Sequence, residues 1–147
     1  MIKRLTVLIV LLFGSTVFNV SAEQSKSFGE YTVHFNAFTT DILTSAVAKS
    51  YGIPRSKNRA LLNVTVLKKV MNTAGSPVSA KVTATATNLN SQLRELKVRE
   101  LNEHGAIYYV AETSIDNGET LKYGLNILPA GETTAFSFEF QQQFFTE

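Results

Sequence analysis

Alternation with period two constrains this chain more than any other feature. Tyr31, Val33, Phe35 and Ala37 share one parity, with Thr32, His34 and Asn36 on the other. Successive side chains of a strand point to opposite faces, whereas a helix repeats every 3.6 residues, so this spacing specifies a half-buried strand. The pattern returns in Leu62, Val64 and Val66, and again in Val78, Ala80, Val82, Ala84 and Ala86. It recurs in Leu121, Tyr123, Leu125 and Ile127, and finally in Phe136, Phe138 and Phe140. Residues 107–113 form a further strand. Residues 92–101, around Leu96 and Val98 with Arg94, Lys97 and Arg99, read as an exposed or edge strand. Glu103-His104-Gly105 and Asp116-Asn117-Gly118 supply hairpin turns. The predicted fold is all-β, a single antiparallel two-sheet β-sandwich of about seven strands.

One stretch departs from this pattern. In residues 38–58, Thr44 can cap a short helix over Ser45–Tyr51, Gly52 suits the position after it, and Pro54 stops continuation. The stretch is too long for a hairpin loop and is expected to carry its helix across from one sheet to the other.

The N-terminus reads as an address. Lys3 and Arg4 precede an apolar run over residues 5–13, and Val20-Ser21-Ala22 offers small residues to a signal peptidase. Gly14, Ser15, Thr16 and Asn19 break the run well before the roughly 20 apolar residues of a membrane span. Residues 1–22 are therefore expected to be a cleaved signal peptide and residues 23–147 the sandwich domain. No stable membrane insertion is expected after cleavage. Loss of Lys3 and Arg4 leaves 12 basic against 12 acidic residues. Such a balance argues against a nucleic-acid partner, because neutralising phosphates needs a basic excess. The absence of Cys removes disulfides, thiolate metal sites and thiol nucleophiles.

The run Tyr31-Thr-Val-His-Phe-Asn-Ala-Phe38, followed by Tyr51-Gly-Ile-Pro-Arg-Ser-Lys-Asn-Arg-Ala-Leu-Leu-Asn-Val64, resembles an uncharacterised exported bacterial family, domain of unknown function 4426. The resemblance extends through Pro129-Ala-Gly-Glu132 and the Phe-rich end. It implies a periplasmic protein of Gram-negative bacteria with an immunoglobulin-like sandwich. It implies no activity, substrate or catalytic residue.

The residues themselves offer little chemistry. His34 falls on the polar side of its strand and His104 in a turn, far apart in sequence and with no nucleophile motif beside either. Asp116-Asn117-Gly118-Glu119 lacks the further oxygen ligands of a calcium loop. Asn63-Val64-Thr65 matches a glycosylation sequon but lies within a strand. Phe144 and Phe145 are adjacent, so one of them should be exposed. No catalytic residue, metal ligand or cofactor is assigned.

The candidate interaction patch is the basic and aromatic set Lys49, Tyr51, Arg55, Lys57 and Arg59. It suits an anionic ligand or an acidic envelope protein, because guanidinium groups grip carboxylates and phosphates in bidentate fashion. The expected function is a non-enzymatic periplasmic binding or accessory domain acting through protein contacts. The alternatives are an envelope small-ligand binder or hydrolase, and a chaperone-like module that binds by strand addition.

Overall fold

The computed structural model describes residues 24–147, so the leader read at residues 1–22 lies outside the described residues. Two antiparallel sheets pack face to face. One contains β1 (Gln24–Phe28), β2 (Tyr31–Thr39), β3 (Arg59–Lys68), β8 (Ala106–Ser114) and β7 (Arg99–Glu103), in that spatial order, with the short β4 (Ser76–Pro77) paired to β3. The other runs β10 (Phe136–Gln143), β9 (Thr120–Pro129), β5 (Ala80–Asn88), β6 (Leu93–Leu96). The fold is the all-β sandwich expected from the alternation, with ten strands among the described residues rather than seven.

The alternating residues are the core. Val33, Phe35, Leu62, Val64, Val66, Leu121, Tyr123 and Ile127 are almost wholly buried between the sheets. Phe138 and Phe140 reach across to Phe35, with ring centroids 4.8 and 4.7 Å away. Phe144 is buried and Phe145 exposed, as their adjacency requires.

Three strand readings change. The segment at 92–101 is two edge strands: β6 belongs to the four-stranded sheet and β7 to the six-stranded one, so the chain changes sheets at Lys97 and Val98. The charges there do mark edges. β1 escapes the pattern because Gln24, Ser25, Lys26 and Ser27 are all exposed, and β4 has only two residues.

The largest correction concerns residues 38–58. They do not cross between sheets. β2 and β3 are neighbours in one sheet, paired from Tyr31↔Lys68 to Thr39↔Ala60, and the long connection folds back over the outer face of that same sheet. Length alone suggested a crossing. The connection stays because its Leu43, Tyr51 and Ile53 find apolar partners on that face. Its helix, α1 (Ser45–Tyr51), is the one expected, with the Thr44 hydroxyl accepting from Val47 N–H at 3.2 Å and Gly52 left-handed at φ 63°.

Candidate functional site

The two outer faces of the sandwich differ in kind. On the four-stranded sheet, Lys81, Thr83, Lys122, Asn126, Ser137, Glu139 and Gln141 stand in solvent. On the six-stranded sheet, the equivalent positions include the apolar Phe38, Leu61, Leu67, Tyr108 and Val110 among the polar Thr32, His34, Asn36, Asn63 and Thr65, and none of these is fully exposed. β8 carries apolar side chains at both parities, Ile107, Tyr109 and Ala111 on one and Tyr108 and Val110 on the other, which is the composition of a strand covered on both sides.

α1 and its flanks form the cover. Ile53, Leu61 and Val110 make a second small core with Phe38, Leu43, Tyr51, Leu101 and Tyr108 around it. Each fully buried aliphatic side chain contributes about 1.5–3 kcal/mol, so this is a fixed roof. Thr40, completely buried, ties its two ends together. Its hydroxyl donates to the Pro54 carbonyl at 2.7 Å and accepts from Ser56 N–H at 2.9 Å. Arg99 donates to the Tyr51 carbonyl at 3.0 Å, and the Tyr51 hydroxyl bonds to Glu103.

The roof does not close the face. A cavity of about 180 Å³ remains beside α1, lined by Leu43, Val47, Tyr51, Leu61, Leu101 and Tyr108 among others. Val47, which lines it, is 42% exposed, and Ile42, next to the lining residue Leu43, is 65% exposed. A larger open groove of about 530 Å³ continues on the other side of Tyr108, lined by His34, Thr65, Leu67, Ala74, Pro77, Ala106 and Ile107. Its origin is a change of partner along β3. β8 pairs with Arg59 to Val64, and β4 takes Leu67 and Lys68, so the sheet parts between them.

The sequence-predicted patch lies on this roof, with its members doing different work. Lys49 and Lys57 are exposed, and neither makes an ion pair among the described residues. Arg55 braces the loop from within, donating to the Asp41 carbonyl at 2.9 Å and to Ser45 Oγ at 3.2 Å. Arg59 lies 3.6 Å from Glu112, which also sits 3.7 Å from Arg99. Tyr51 packs into the second core. Only the two lysines therefore present charge that the fold has not already engaged. Leu101, Glu103, Tyr108 and Val110 were not anticipated as part of this site, although the double-sided apolarity of β8 was visible in the sequence.

The other candidates resolve plainly. His34 lines the larger groove, where no acidic side chain is among the lining residues. His104 sits in the β7–β8 turn with its side chain 93% exposed. Asp116-Asn117-Gly118 closes no hairpin, since it carries the chain from β8 in one sheet to β9 in the other. Glu119 pairs with Arg94 at 2.9 Å and accepts from Asp116 N–H at 3.0 Å, so this acidic connection is braced internally.

Three comparisons bear on this arrangement. A family model described as Domain of unknown function (DUF4426) matches residues 25–147. A DUF4426 family protein from Pseudomonas aeruginosa, solved by crystallography, is 36% identical with a TM-score of 0.73, covering 84% of this chain and 94% of its own. FetP of uropathogenic Escherichia coli strain F11, recombinantly expressed in the periplasm of E. coli BL21(DE3), is 12% identical with a TM-score of 0.60, covering 84% of this chain and 94% of its own. A copper-bound FetP variant aligns at the same identity and TM-score. At 12% identity the likeness to FetP is one of fold. No curated protein matches the chain.

Proposed function

The chain belongs to the DUF4426 family, and from that premise we propose that it is an exported, non-enzymatic binding or accessory domain that engages a protein partner through the outer face of its six-stranded sheet. One observation carries this reading: beyond the reach of its own roof that face still has an apolar groove, where Leu67, Pro77, Ala106, Ile107 and Tyr108 lie beside His34 and Thr65, while the opposite outer face is solvated. An apolar surface rimmed by polar residues is the usual mark of an interaction site. The cavity beside α1, at about 180 Å³, is below the roughly 300 Å³ at which small-molecule sites begin. It has room for a side chain of a partner. Lys49 and Lys57, exposed on the roof, favour an acidic partner surface.

Export rests on the leader pattern of residues 1–22, and a mature chain beginning at Glu23 by intact mass would support it. The copper of the copper-bound FetP variant is not carried over. Among the described residues no group of three or more His, Cys, Asp or Glu could hold a metal ion. The two histidines lie apart, one in the groove and one in a solvated turn.

A small-ligand reading is favoured by one feature, the groove beside His34, whose volume of about 530 Å³ falls within the range of such sites. Substitution separates the two. Ile42→Glu with Val47→Glu places one carboxylate in the lining of the α1 cavity and one on the exposed roof beside Leu43, and leaves the groove at His34 intact. Loss of partner capture in that folded variant supports the protein-contact reading. Unchanged capture, with loss on His34→Ala instead, would move the site to the groove.

A further inference from the structure

The four sheet edges are unequally protected. β6 has four residues, two of them Arg94 and Glu95. β7 carries Arg99, Glu100 and Glu103. β1 has five residues and carries Lys26, exposed with Nζ 5.2 Å from the centre of the Phe138 ring, and a lysine on an edge strand guards it. β10 differs. It offers eight residues with no Pro and one charge, Glu139.

The ladder shows which of its backbone groups are open. Phe144 N–H donates to the Glu119 carbonyl at 2.9 Å, in register with the pairing of Gln143 to Thr120. Antiparallel ladders alternate, so Phe136, Phe138, Phe140 and Gln142 turn their N–H and C=O toward β9. Ser137, Glu139, Gln141 and Gln143 turn theirs outward. The Gln142 side chain reaches the Gln143 carbonyl at 2.9 Å. Among the described residues no backbone group meets those of Ser137, Glu139 and Gln141.

We propose that this edge pairs with β10 of a second copy of the chain, antiparallel and about a two-fold axis at Phe140, making one continuous eight-stranded sheet. The strand complements itself in that register. Glu139 falls opposite Gln141 of the partner subunit, and Ser137 opposite Gln143 of the partner subunit. Shifting the axis to Glu139 would set two carboxylates face to face, which destabilises a strand pair. The polar outer face runs unbroken across the junction, and all four outward-facing residues find partners. The contact is small beside a standard interface, so association is concentration-dependent. It lies on the four-stranded sheet and is independent of the surface proposed above.

Sedimentation across the micromolar range tests this on the full chain, expressed with its N-terminal segment so that any processing occurs. Gln141→Lys puts an ammonium opposite Glu139 of the partner subunit and should tighten the dimer. Gln141→Glu puts a carboxylate there and should weaken it. Two symmetric cross-strand pairs convert to about 2- to 30-fold in each direction. Glu139→Pro removes an N–H that the protomer does not use and should abolish the dimer; if that variant does not fold, the Gln141 pair still decides. A chain that stays monomeric throughout overturns the proposal and leaves the edge to an extended segment of another protein. So does a dimer that both Gln141 variants shift in the same direction.

Discussion

The Tyr109 hydroxyl accepts a hydrogen bond from Ala80 N–H at 2.7 Å, joining β8 of one sheet to β5 of the other. The alternation along β5 explains why it is needed. Asn88 N–H bonds to the Gln92 carbonyl, so the even-numbered residues of β5 face β6. β6 pairs only with Ala84 to Thr87, and Ala80 lies beyond its end. A side chain from the opposite sheet supplies the missing acceptor. Tyr109→Phe keeps the ring and leaves that N–H unsatisfied, and should cost about 1–3 kcal/mol in urea or guanidinium unfolding.

Tyr123 is the converse case. Its ring is fully buried and stacks on Phe140 at 5.0 Å, but its hydroxyl has no hydrogen-bond partner among the described residues. Tyr123→Phe removes an unsatisfied polar atom and keeps the shape. It should leave stability unchanged or raise it by about 1 kcal/mol.

The same residue governs alkaline behaviour. Burial drives the Tyr123 hydroxyl far above the usual tyrosine pKa, and burial also raises Tyr109, while the hydrogen bond to Glu132 raises Tyr31. A raised folded-state pKa means that the fold favours the neutral phenol. That stabilisation is complete below the unfolded value of about 10 and is lost as pH climbs above it. Unfolding free energy should therefore decline from about pH 10 upward. The decline should be shallower in Tyr123→Phe than in the parent chain.

Much of this architecture was legible in the residues, and the failures have one cause. Val33, Phe35, Val64 and Ile127 announce their burial through alternation, and Thr44 and Gly52 announce both ends of α1. Contacts between distant segments leave no such local mark. Nothing near Thr40 in sequence indicates Pro54 and Ser56 as its partners, and nothing near Arg55 shows that its guanidinium is held by Asp41 and Ser45. The basic patch was visible as composition. Its division into bracing arginines and unengaged lysines depends on the fold-back of residues 40–58, which chain length could not distinguish from a crossing. The second core had a local sign, the loss of alternation at Leu61 beside Leu62 and at Tyr108 to Val110, because a strand covered on both faces has no polar side.

That division predicts different phenotypes within one patch. Arg55→Ser releases the loop from Asp41 and Ser45 and should lower stability by about 1 kcal/mol. Lys49→Ser with Lys57→Ser should change stability by less than about 0.5 kcal/mol, yet weaken partner capture and reduce its sensitivity to salt. Thermal unfolding and capture at two ionic strengths distinguish the two outcomes.

The roof can be loosened from its start. Thr44→Ala removes the acceptor for Val47 N–H and should cost about 1 kcal/mol. Hydrogen exchange should quicken at residues 45–53 while β9 and β5 keep their protection.

Site-specific photo-crosslinking in cells, comparing the two outer faces of the sandwich, tests the proposed binding surface most directly. Probes at Leu43 and Leu67 sit on the six-stranded face, and probes at Thr83, Lys122 and Asn126 on the four-stranded face. One discrete product is expected from the first set, lost when Ile42 and Val47 are changed to Glu, with none from the second. Equal yields from both faces, or a product only from the four-stranded face, would contradict a binding surface on the six-stranded sheet.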